Sequence, residues 1–159
     1  MVVSTSDIEF TVAVPPAKLF RSMVLDFKNL IKKLNPGVKS VEYIQGDGGS
    51  GTITRIVIQE GEQLKVVKNR IDAVDPDSFS YSYAYLEGEG LVGKLESIAY
   101  EVQFTPYPDG GSSIKIKATY TAKGDVEPTE EEIKVSKEKT IGLFNAVAAY
   151  LLQNPEAYA

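Results

Sequence analysis

Turn-forming residues interrupt the middle of the chain about every ten residues, and this spacing is the strongest constraint on the fold. The interruptions are rich in glycine, proline and acidic residues, and they fall at 46–51, 60–62, 75–77, 87–90 and 109–111. The segments between them predict six strands, at about 39–45, 52–59, 64–74, 78–86, 95–105 and 112–122. Parallel strands need crossover connections of roughly a dozen residues or more. The spacing therefore predicts an antiparallel sheet built from hairpins.

The N-terminal segment adds a seventh strand and two short helices. Apolar residues alternate with polar ones over residues 3–14, which is typical of a half-buried strand. The Pro15-Pro16 pair ends this strand and can open a short helix, because proline is tolerated in a first helical turn. Asp26 is predicted to be the N-cap of a second helix over residues 27–34.

Residues 129–152 form the longest periodic segment and predict one long C-terminal helix. Thr129 and Glu132 have the spacing of a capping box. The second half of this helix is densely apolar, whereas residues 130–139 are mostly charged or small. The predicted fold class is therefore α+β, in a single domain over residues 1–159. A strongly curved seven-stranded antiparallel sheet packs against the long helix, and the short helices lie near the first strand.

The composition excludes several kinds of site. The 159 residues include no Cys and no His, so disulfides, thiolate nucleophiles, zinc–thiolate sites and imidazole bases are ruled out. A formal net charge of −5 disfavours binding to nucleic acid backbones. The first ten residues lack the pattern of a secretory signal, and no apolar run approaches the roughly 18 residues of a membrane span. We therefore expect a soluble cytoplasmic protein that holds no metal and no cofactor.

Five tyrosines are predicted to share the concave face of the sheet. A buried phenol needs a hydrogen-bond partner or water, so these rings either border a partly hydrated cavity or reach solvent at the strand ends. The polar first half of the long helix cannot fill a concave sheet, and the chain has no Trp and only two Met. These features favour a hollow interior that takes an apolar ligand. The five residues are Tyr81, Tyr83, Tyr85, Tyr100 and Tyr120.

The strand over residues 64–74 leaves two interpretations open. Leu64 and Val66 have the same parity as Arg70, so one face of this strand mixes apolar and charged side chains. If that face is inward, Arg70 enters the pocket as a partner for a carboxylate or a phenol. The alternative is a solvated ion pair at the end of the strand.

The glycine-rich segment 46–51 can be compared with a phosphate-binding loop. A Walker-type loop contains a lysine and continues into a helix whose N-terminus holds the phosphate. Here no lysine follows, and residues 52–59 are a predicted strand. A rigid hairpin loop, in which glycine supplies positive φ angles, is the favoured interpretation.

The glycine-rich loop and several other segments together resemble one family over essentially the whole chain. The other segments are Leu19-Phe20, Tyr81-x-Tyr83, Glu87-Gly88, Lys123-Gly124-Asp125 and the ending at 150–158. They resemble the plant intracellular pathogenesis-related class-10 proteins, which include relatives of the major birch pollen allergen. The resemblance implies a helix-grip, START-like fold in which the sheet wraps around the long helix and the short helices form a V. It also implies an internal cavity for flavonoids, cytokinins or other hormones, fatty acids or steroids, in a protein of the defence or stress response.

The resemblance also implies a set of ligand-binding residues. Tyr81, Tyr83 and Tyr100 match pocket positions of the family, and Leu91 matches an entrance loop. The apolar lining, the long helix and the ambiguous strand add Ile56, Ile58, Leu64, Val66, Arg70, Ile98, Val102, Lys139, Thr140 and Leu143. The glycine-rich loop is represented by Gly46, Asp47, Gly48, Gly49 and Gly51.

Two enzymatic alternatives follow from the same resemblance. Some relatives are proposed ribonucleases, and Glu96 and Tyr150 match the proposed site, but Ala148 replaces its second glutamate. Cleavage by acid–base chemistry needs both an acid and a base. Relatives resembling norcoclaurine synthase use a pocket lysine for condensation, and Lys139 is the candidate because burial would lower the pKa of its amine.

We therefore predict a non-enzymatic carrier of a small hydrophobic ligand. Tyrosine hydroxyls, with Arg70 or Lys139, are expected to orient that ligand. The expected protein is a monomer or a weak dimer, with neither a membrane nor a nucleic acid as its partner.

Overall fold

The computed structural model describes residues 2–159, which form one seven-stranded antiparallel sheet and three α-helices. Met1, which the predicted domain includes, lies outside the described residues. The strands are β1 (Val3–Val12), β2 (Val38–Gln45), β3 (Ile53–Glu60), β4 (Gln63–Asp75), β5 (Ser80–Glu87), β6 (Leu95–Pro106) and β7 (Ser112–Ala122). The helices are α1 (Pro16–Phe20), α2 (Phe27–Leu34) and α3 (Glu130–Gln153), with a π-helical turn at Arg21–Leu25 and a 3-10 turn at Glu89–Leu91.

The predicted fold class is confirmed by the order of the strands, which is β1-β7-β6-β5-β4-β3-β2. Strands β2 to β6 each pair with the next strand along the chain, as short connections require, and β1 pairs with β7. The register shifts in the β2–β3, β4–β5 and β6–β7 pairs. Such irregularities increase the local twist of a sheet and help it to curve.

The inner face of the sheet is closed at one end by the apolar half of α3. The predicted capping box is present, since Thr129 Oγ1 accepts from the backbone of Glu132 and the Glu132 carboxylate accepts from the backbone of Thr129. Phe144 is fully buried and meets Phe10 and Phe104 edge-on, at centroid distances of 6.0 and 6.1 Å. The sequence contrast between the two halves of α3 therefore corresponds to a real difference in packing.

The short helices are held by the C-terminal tail. Asp26 lies at the predicted N-cap position of α2, but its side chain does not cap the backbone. It accepts instead from the Asn29 amide at 2.7 Å and from the Tyr158 hydroxyl at 2.6 Å. The guanidinium of Arg21 donates twice to the Tyr158 carbonyl oxygen, at 3.0 and 2.7 Å. These contacts connect the tail to the pair of short helices.

Two strand boundaries differ from the prediction by two residues, and the others agree with it to within one residue. β1 ends at Val12 rather than at residue 14, and β5 begins at Ser80 rather than at residue 78. Phe79 has a φ of +52°, so it turns the chain and does not take part in the strand alternation. The Asp75 carboxylate organises this turn by accepting from the Asp77 backbone at 3.1 Å and the Ser78 hydroxyl at 2.9 Å.

The expectation that Leu64, Val66 and Arg70 line the pocket is wrong, because β4 presents its other face inward. Opposite residues of an antiparallel pair share a face, and the inward residues of β3 pair with Lys65, Val67 and Asn69 of β4. Leu64 is 63% exposed on the outer face. Arg70 lies on that face too, where its Nε donates to Asp72 Oδ1 at 2.5 Å. The structure thus contains the ion pair that was the alternative interpretation.

Candidate functional site

A cavity lies between the inner face of the sheet and the polar half of α3. It has two compartments, of about 470 Å³ and about 60 Å³, which are called here the large and the small compartment. Tyr83, Tyr85 and Leu143 line both of them. The hollow interior predicted from the sequence is therefore present, and these three side chains form the boundary between its two parts.

Four tyrosines of β5 and β6 form a continuous aromatic cluster in the cavity wall. Tyr83 stacks on Tyr81 and on Tyr100, with ring centroids 5.4 and 5.0 Å apart. Tyr85 meets Tyr83 and Tyr100 nearly at right angles, at 5.8 and 5.7 Å. The cluster arises because alternate residues of β5 point inward and Tyr83 pairs directly with Tyr100 across the β5–β6 ladder. Offset-stacked and edge-on geometries are the favoured arrangements for pairs of aromatic rings.

The hydroxyls of this cluster differ in how they are satisfied. Burial and the neighbouring phenols raise the pKa of Tyr81, Tyr83 and Tyr85 above the ordinary value of 10.0. Burial also raises the pKa of Tyr100, although hydrogen bonds with Ser136 and Thr140 oppose the rise. Within residues 2–159, no side-chain hydrogen bond involves the other three hydroxyls, which are open to the cavity. These three hydroxyls can therefore form hydrogen bonds with a ligand.

The predicted ligand-binding residues fall into three groups. Those that line a compartment are Ile58, Tyr81, Tyr83, Leu91, Ile98, Tyr100, Lys139, Thr140 and Leu143. Ile56 and Val102 are buried on the inner side of the sheet but outside the lining of both compartments. Leu64, Val66 and Arg70 are on the outer face, as described above. The structure thus brings most of the set together around one cavity.

Several lining residues were absent from the predicted set. Tyr85 continues the alternation of Tyr81 and Tyr83, so the sequence already contained the signal for it. The short helices and the edge strand β2 contribute Met23, Val24, Phe27, Lys28 and Tyr43. No local pattern points to these five residues, because their position depends on how the helices pack over the sheet.

The glycine-rich loop is a hairpin connection between β2 and β3. Gly46, Gly48 and Gly51 have positive φ angles. Backbone donors within the loop already have protein partners: Gly48 donates to Thr52 Oγ1 at 2.8 Å and Gly51 donates to the Ile71 carbonyl at 2.7 Å. These hydrogen bonds agree with the interpretation of the segment as a rigid hairpin loop and not as a phosphate-binding loop.

Replacing Gly46 by alanine is expected to destabilise the protein by about 2 kcal/mol. Its φ is +86°, where an L residue is strained by roughly 1–2 kcal/mol, and a Cβ atom would lie 2.6 Å from Thr52 Oγ1. Urea unfolding followed by circular dichroism measures the change. Gly51→Ala isolates the backbone strain, because its φ is +87° and its Cβ would meet open space. Equal stability losses in the two variants would contradict the steric contribution of Thr52.

Charged residues surround the rim of the large compartment. Lys65 pairs with Glu60 at 2.6 Å and with Glu89 at 2.9 Å, which ties the 3-10 turn to β4. Lys94 contacts Glu132 at 2.8 Å, and its ammonium lowers the pKa of the Glu132 carboxyl. Lys139 lies exposed among the lining residues of this compartment. Lys139 is therefore not the buried lysine that the condensing-enzyme alternative would require.

The residues considered for ribonuclease chemistry lie outside both compartments. Glu96 is exposed on β6, Tyr150 packs against the hydrophobic core, and Ala148 is buried.

Among residues 2–159, no group of three or more acidic side chains is arranged to hold a metal ion. No helix in the same part of the chain is long and apolar enough to cross a membrane.

The sequence is similar to several plant proteins over almost its whole length. A model of the pathogenesis-related protein Bet v 1 family matches residues 1–154. The major allergen Pru ar 1 of Prunus armeniaca is 49% identical over 159 residues, covering 99% of each chain. The major allergen Mal d 1 of Malus domestica is 45% identical with the same coverage.

Solved structures agree with this assignment. The crystal structure of Ara h 8.0201 matches with a TM-score of 0.85 and 36% identity, covering 96% of this chain and 99% of that one. Norcoclaurine synthase from Thalictrum flavum matches with a TM-score of 0.67 and 22% identity, covering 96% of this chain and 88% of that one, which shows a shared fold only. The resemblance found in the sequence is confirmed, and this chain belongs to the pathogenesis-related protein Bet v 1 family.

Proposed function

We propose that this protein binds and carries small amphipathic molecules in its internal cavity. The observation that carries the proposal is the cluster of Tyr81, Tyr83, Tyr85 and Tyr100, which offers flat aromatic surfaces and three unpartnered hydroxyls to one cavity. Ligand sites in proteins combine mostly apolar walls with a few polar groups that set orientation. The cavity has this composition.

The same geometry favours ligands with planar rings and polar substituents. A ring that lies against the tyrosines loses contact with water, and such burial is worth about 25 cal/mol per Å² of apolar surface. Hydroxyl or carbonyl substituents can then exchange hydrogen bonds with the free phenols. Flavonoids and cytokinins fit this description best, and fatty acids or steroids would use the apolar walls alone.

The proposal includes a biological setting taken from the relatives. The family model is described as pathogenesis-related, and the curated relatives are named as allergens. We infer a cytoplasmic carrier of the plant defence or stress response, acting as a monomer or a weak dimer. Two observations support binding without catalysis: Lys139 is exposed, and Glu96 and Tyr150 lie outside the cavity lining.

Replacing Leu143 by tryptophan is expected to weaken ligand binding by about tenfold or more, which is a loss of roughly 1.4 kcal/mol or more. Leu143 lines both compartments, so the larger indole occupies the space where they meet. A neutral solvatochromic dye, N-phenylnaphthylamine, reports the affinity by fluorescence titration. Tyr83→Ala is expected to change the dye's affinity as well, because it removes the centre of the aromatic cluster.

The matched control is Leu152→Trp, which adds the same side chain to an exposed position on the same helix. This variant should bind the dye with wild-type affinity. Failure of the wild-type protein to bind the dye would refute the proposed function. Equal affinities in wild type and in both cavity variants would show that the ligand binds elsewhere. Native mass spectrometry of protein isolated from its source would then identify the physiological ligand through its retained mass.

A further inference from the structure

A row of polar side chains crosses the inner face of the sheet beside the small compartment. Tyr43 of β2 pairs with Thr54 of β3, Thr54 pairs with Asn69 of β4, and Asn69 pairs with Tyr85 of β5. All four residues line the small compartment. The register of four consecutive strands therefore concentrates hydrogen-bonding groups at one end of a cavity whose other walls are largely apolar.

The two central members of this row are buried without a protein partner. Thr54 is 4% exposed and Asn69 is 9% exposed. Neither side chain takes part in a hydrogen bond within residues 2–159, and the polar atoms that remain unpaired face open space in the compartment. These groups can therefore form hydrogen bonds with water or with a polar part of a ligand.

Lys28 adds a positive charge above the same row. Its Nζ lies 4.7 Å from the centroid of the Tyr43 ring, which is a cation–π contact. The lysine is half-buried, and no carboxylate of residues 2–159 lies within 4.0 Å of its ammonium. The glycine-rich loop supports the ring, since a Cβ at Gly48 would lie 3.3 Å from the Tyr43 hydroxyl oxygen. The fold therefore holds an ammonium without an acidic partner at the cavity wall.

The two compartments differ in the charged side chains that line them, so the two ends of the cavity are chemically distinct. Lys28 is the only charged side chain that lines the small compartment in the described part of the chain. The large compartment is lined by Lys139 and by three glutamates, Glu87, Glu89 and Glu132, each of which pairs with a lysine. An anionic group at that end would lie beside three paired carboxylates and an exposed lysine, whereas at the small end it meets the half-buried Lys28 ammonium and neutral donors. The small volume also suits a head group better than a ring system.

We propose that the small compartment is a subsite for an acidic head group, a carboxylate or sulfonate, on a ring-bearing amphipathic ligand. The Lys28 ammonium pairs with the anionic oxygens, and the Asn69 amide and Thr54 hydroxyl donate hydrogen bonds to them. The ring system extends from there along the tyrosine cluster into the large compartment. This inference rests on the proposed function, because it specifies the class of ligand that the same cavity selects.

The test compares two dyes that share one aromatic framework. Anilinonaphthalene sulfonate carries an acidic group, and N-phenylnaphthylamine does not. Lys28→Met is expected to weaken binding of the sulfonate dye by about fivefold to tenfold, a loss of roughly 1.0–1.4 kcal/mol, because water partly screens the half-buried ammonium. The neutral dye should keep its affinity within about twofold. In wild type, affinity for the sulfonate dye should fall with added salt, and Lys28→Met should remove most of that dependence.

Two control variants separate local from general charge effects. Lys32→Met removes the same charge from an exposed position on the same helix and should leave both dyes unaffected. Lys139→Met tests the opposite end of the cavity. The inference is overturned if Lys28→Met leaves the preference for the sulfonate dye intact, or if Lys139→Met abolishes that preference instead. In either case, tight binding of the neutral dye would still support the proposed function. If neither dye binds to wild type, both proposals are wrong.

Discussion

Replacing Phe144 by alanine is expected to lower the free energy of unfolding by about 3–5 kcal/mol, the range typical of a fully buried phenylalanine. The ring has no exposed surface and is held between Phe10 and Phe104. It fixes the apolar half of α3 against the sheet, so its removal opens a void where the cavity is otherwise closed. Urea unfolding, with the slope as well as the midpoint recorded, measures the loss.

The control for this prediction is Leu152→Ala. Leu152 lies on the same helix but is 56% exposed, so its truncation should change stability by about 0.5 kcal/mol or less. Comparable losses in the two variants would mean that the Phe144 effect does not reflect core packing, since alanine favours the helix at both positions. A loss of under about 1 kcal/mol for Phe144→Ala would contradict the buried contact between α3 and the sheet.

The protein is expected to lose stability steeply above about pH 10. Burial raises the pKa of Tyr81, Tyr83 and Tyr85 above 10.0 in the folded state, whereas the unfolded chain titrates near the ordinary value. Above that value the unfolded chain releases protons that the folded protein keeps, so unfolding becomes more favourable as the pH rises. The stabilisation is complete below about pH 10 and is lost towards the raised pKa values. Three such groups give a slope approaching about 4 kcal/mol per pH unit.

Tyr83→Phe provides the sharpest measurement of this effect. It should reduce the alkaline slope by about 1.4 kcal/mol per pH unit, because one fewer buried phenol has to be ionised on unfolding. Urea unfolding at a series of pH values between about 8 and 11 gives the slope directly. Tyr107→Phe is the matched control, since Tyr107 is 44% exposed and lies outside the cavity. An unchanged slope in Tyr83→Phe would show that this phenol is not buried in the folded protein.

Strand β4 shows where alternation along the sequence fails to identify the inner face. Both of its faces mix apolar and charged residues, with Leu64 and Val66 on one face and Val67 and Ile71 on the other. The choice is made by pairing: Ile56 of β3 lies opposite Val67, which turns Val67 inward and Arg70 outward. A shift of the register by one residue moves every side chain of a strand to the opposite face of the sheet. The pocket-lining residues of β4 could therefore be assigned only from its pairing with the neighbouring strands.

Lys28 and Tyr43 illustrate a second limit. They are separated by a helix and part of a strand, and neither is marked by any local motif. Their contact exists because α2 lies over the edge of the sheet, at the place where the glycine-rich loop supports the Tyr43 ring. The polar row from Tyr43 to Tyr85 likewise depends on the register of four strands. The position of the Lys28 charge and the polar character of this end of the cavity were therefore not predictable from the sequence.

The sequence by itself determined the antiparallel sheet, the long capped helix and the inward tyrosines. Turn residues, capping residues and alternation act over a few neighbouring positions, and their effects are largely independent of the rest of the chain. Only the tertiary structure decided which face of β4 is inside, how the cavity divides and that the half-buried Lys28 ammonium lies at its small end. Those features depend on contacts between residues far apart in the chain, whose geometry is fixed only when the helices and the sheet pack together.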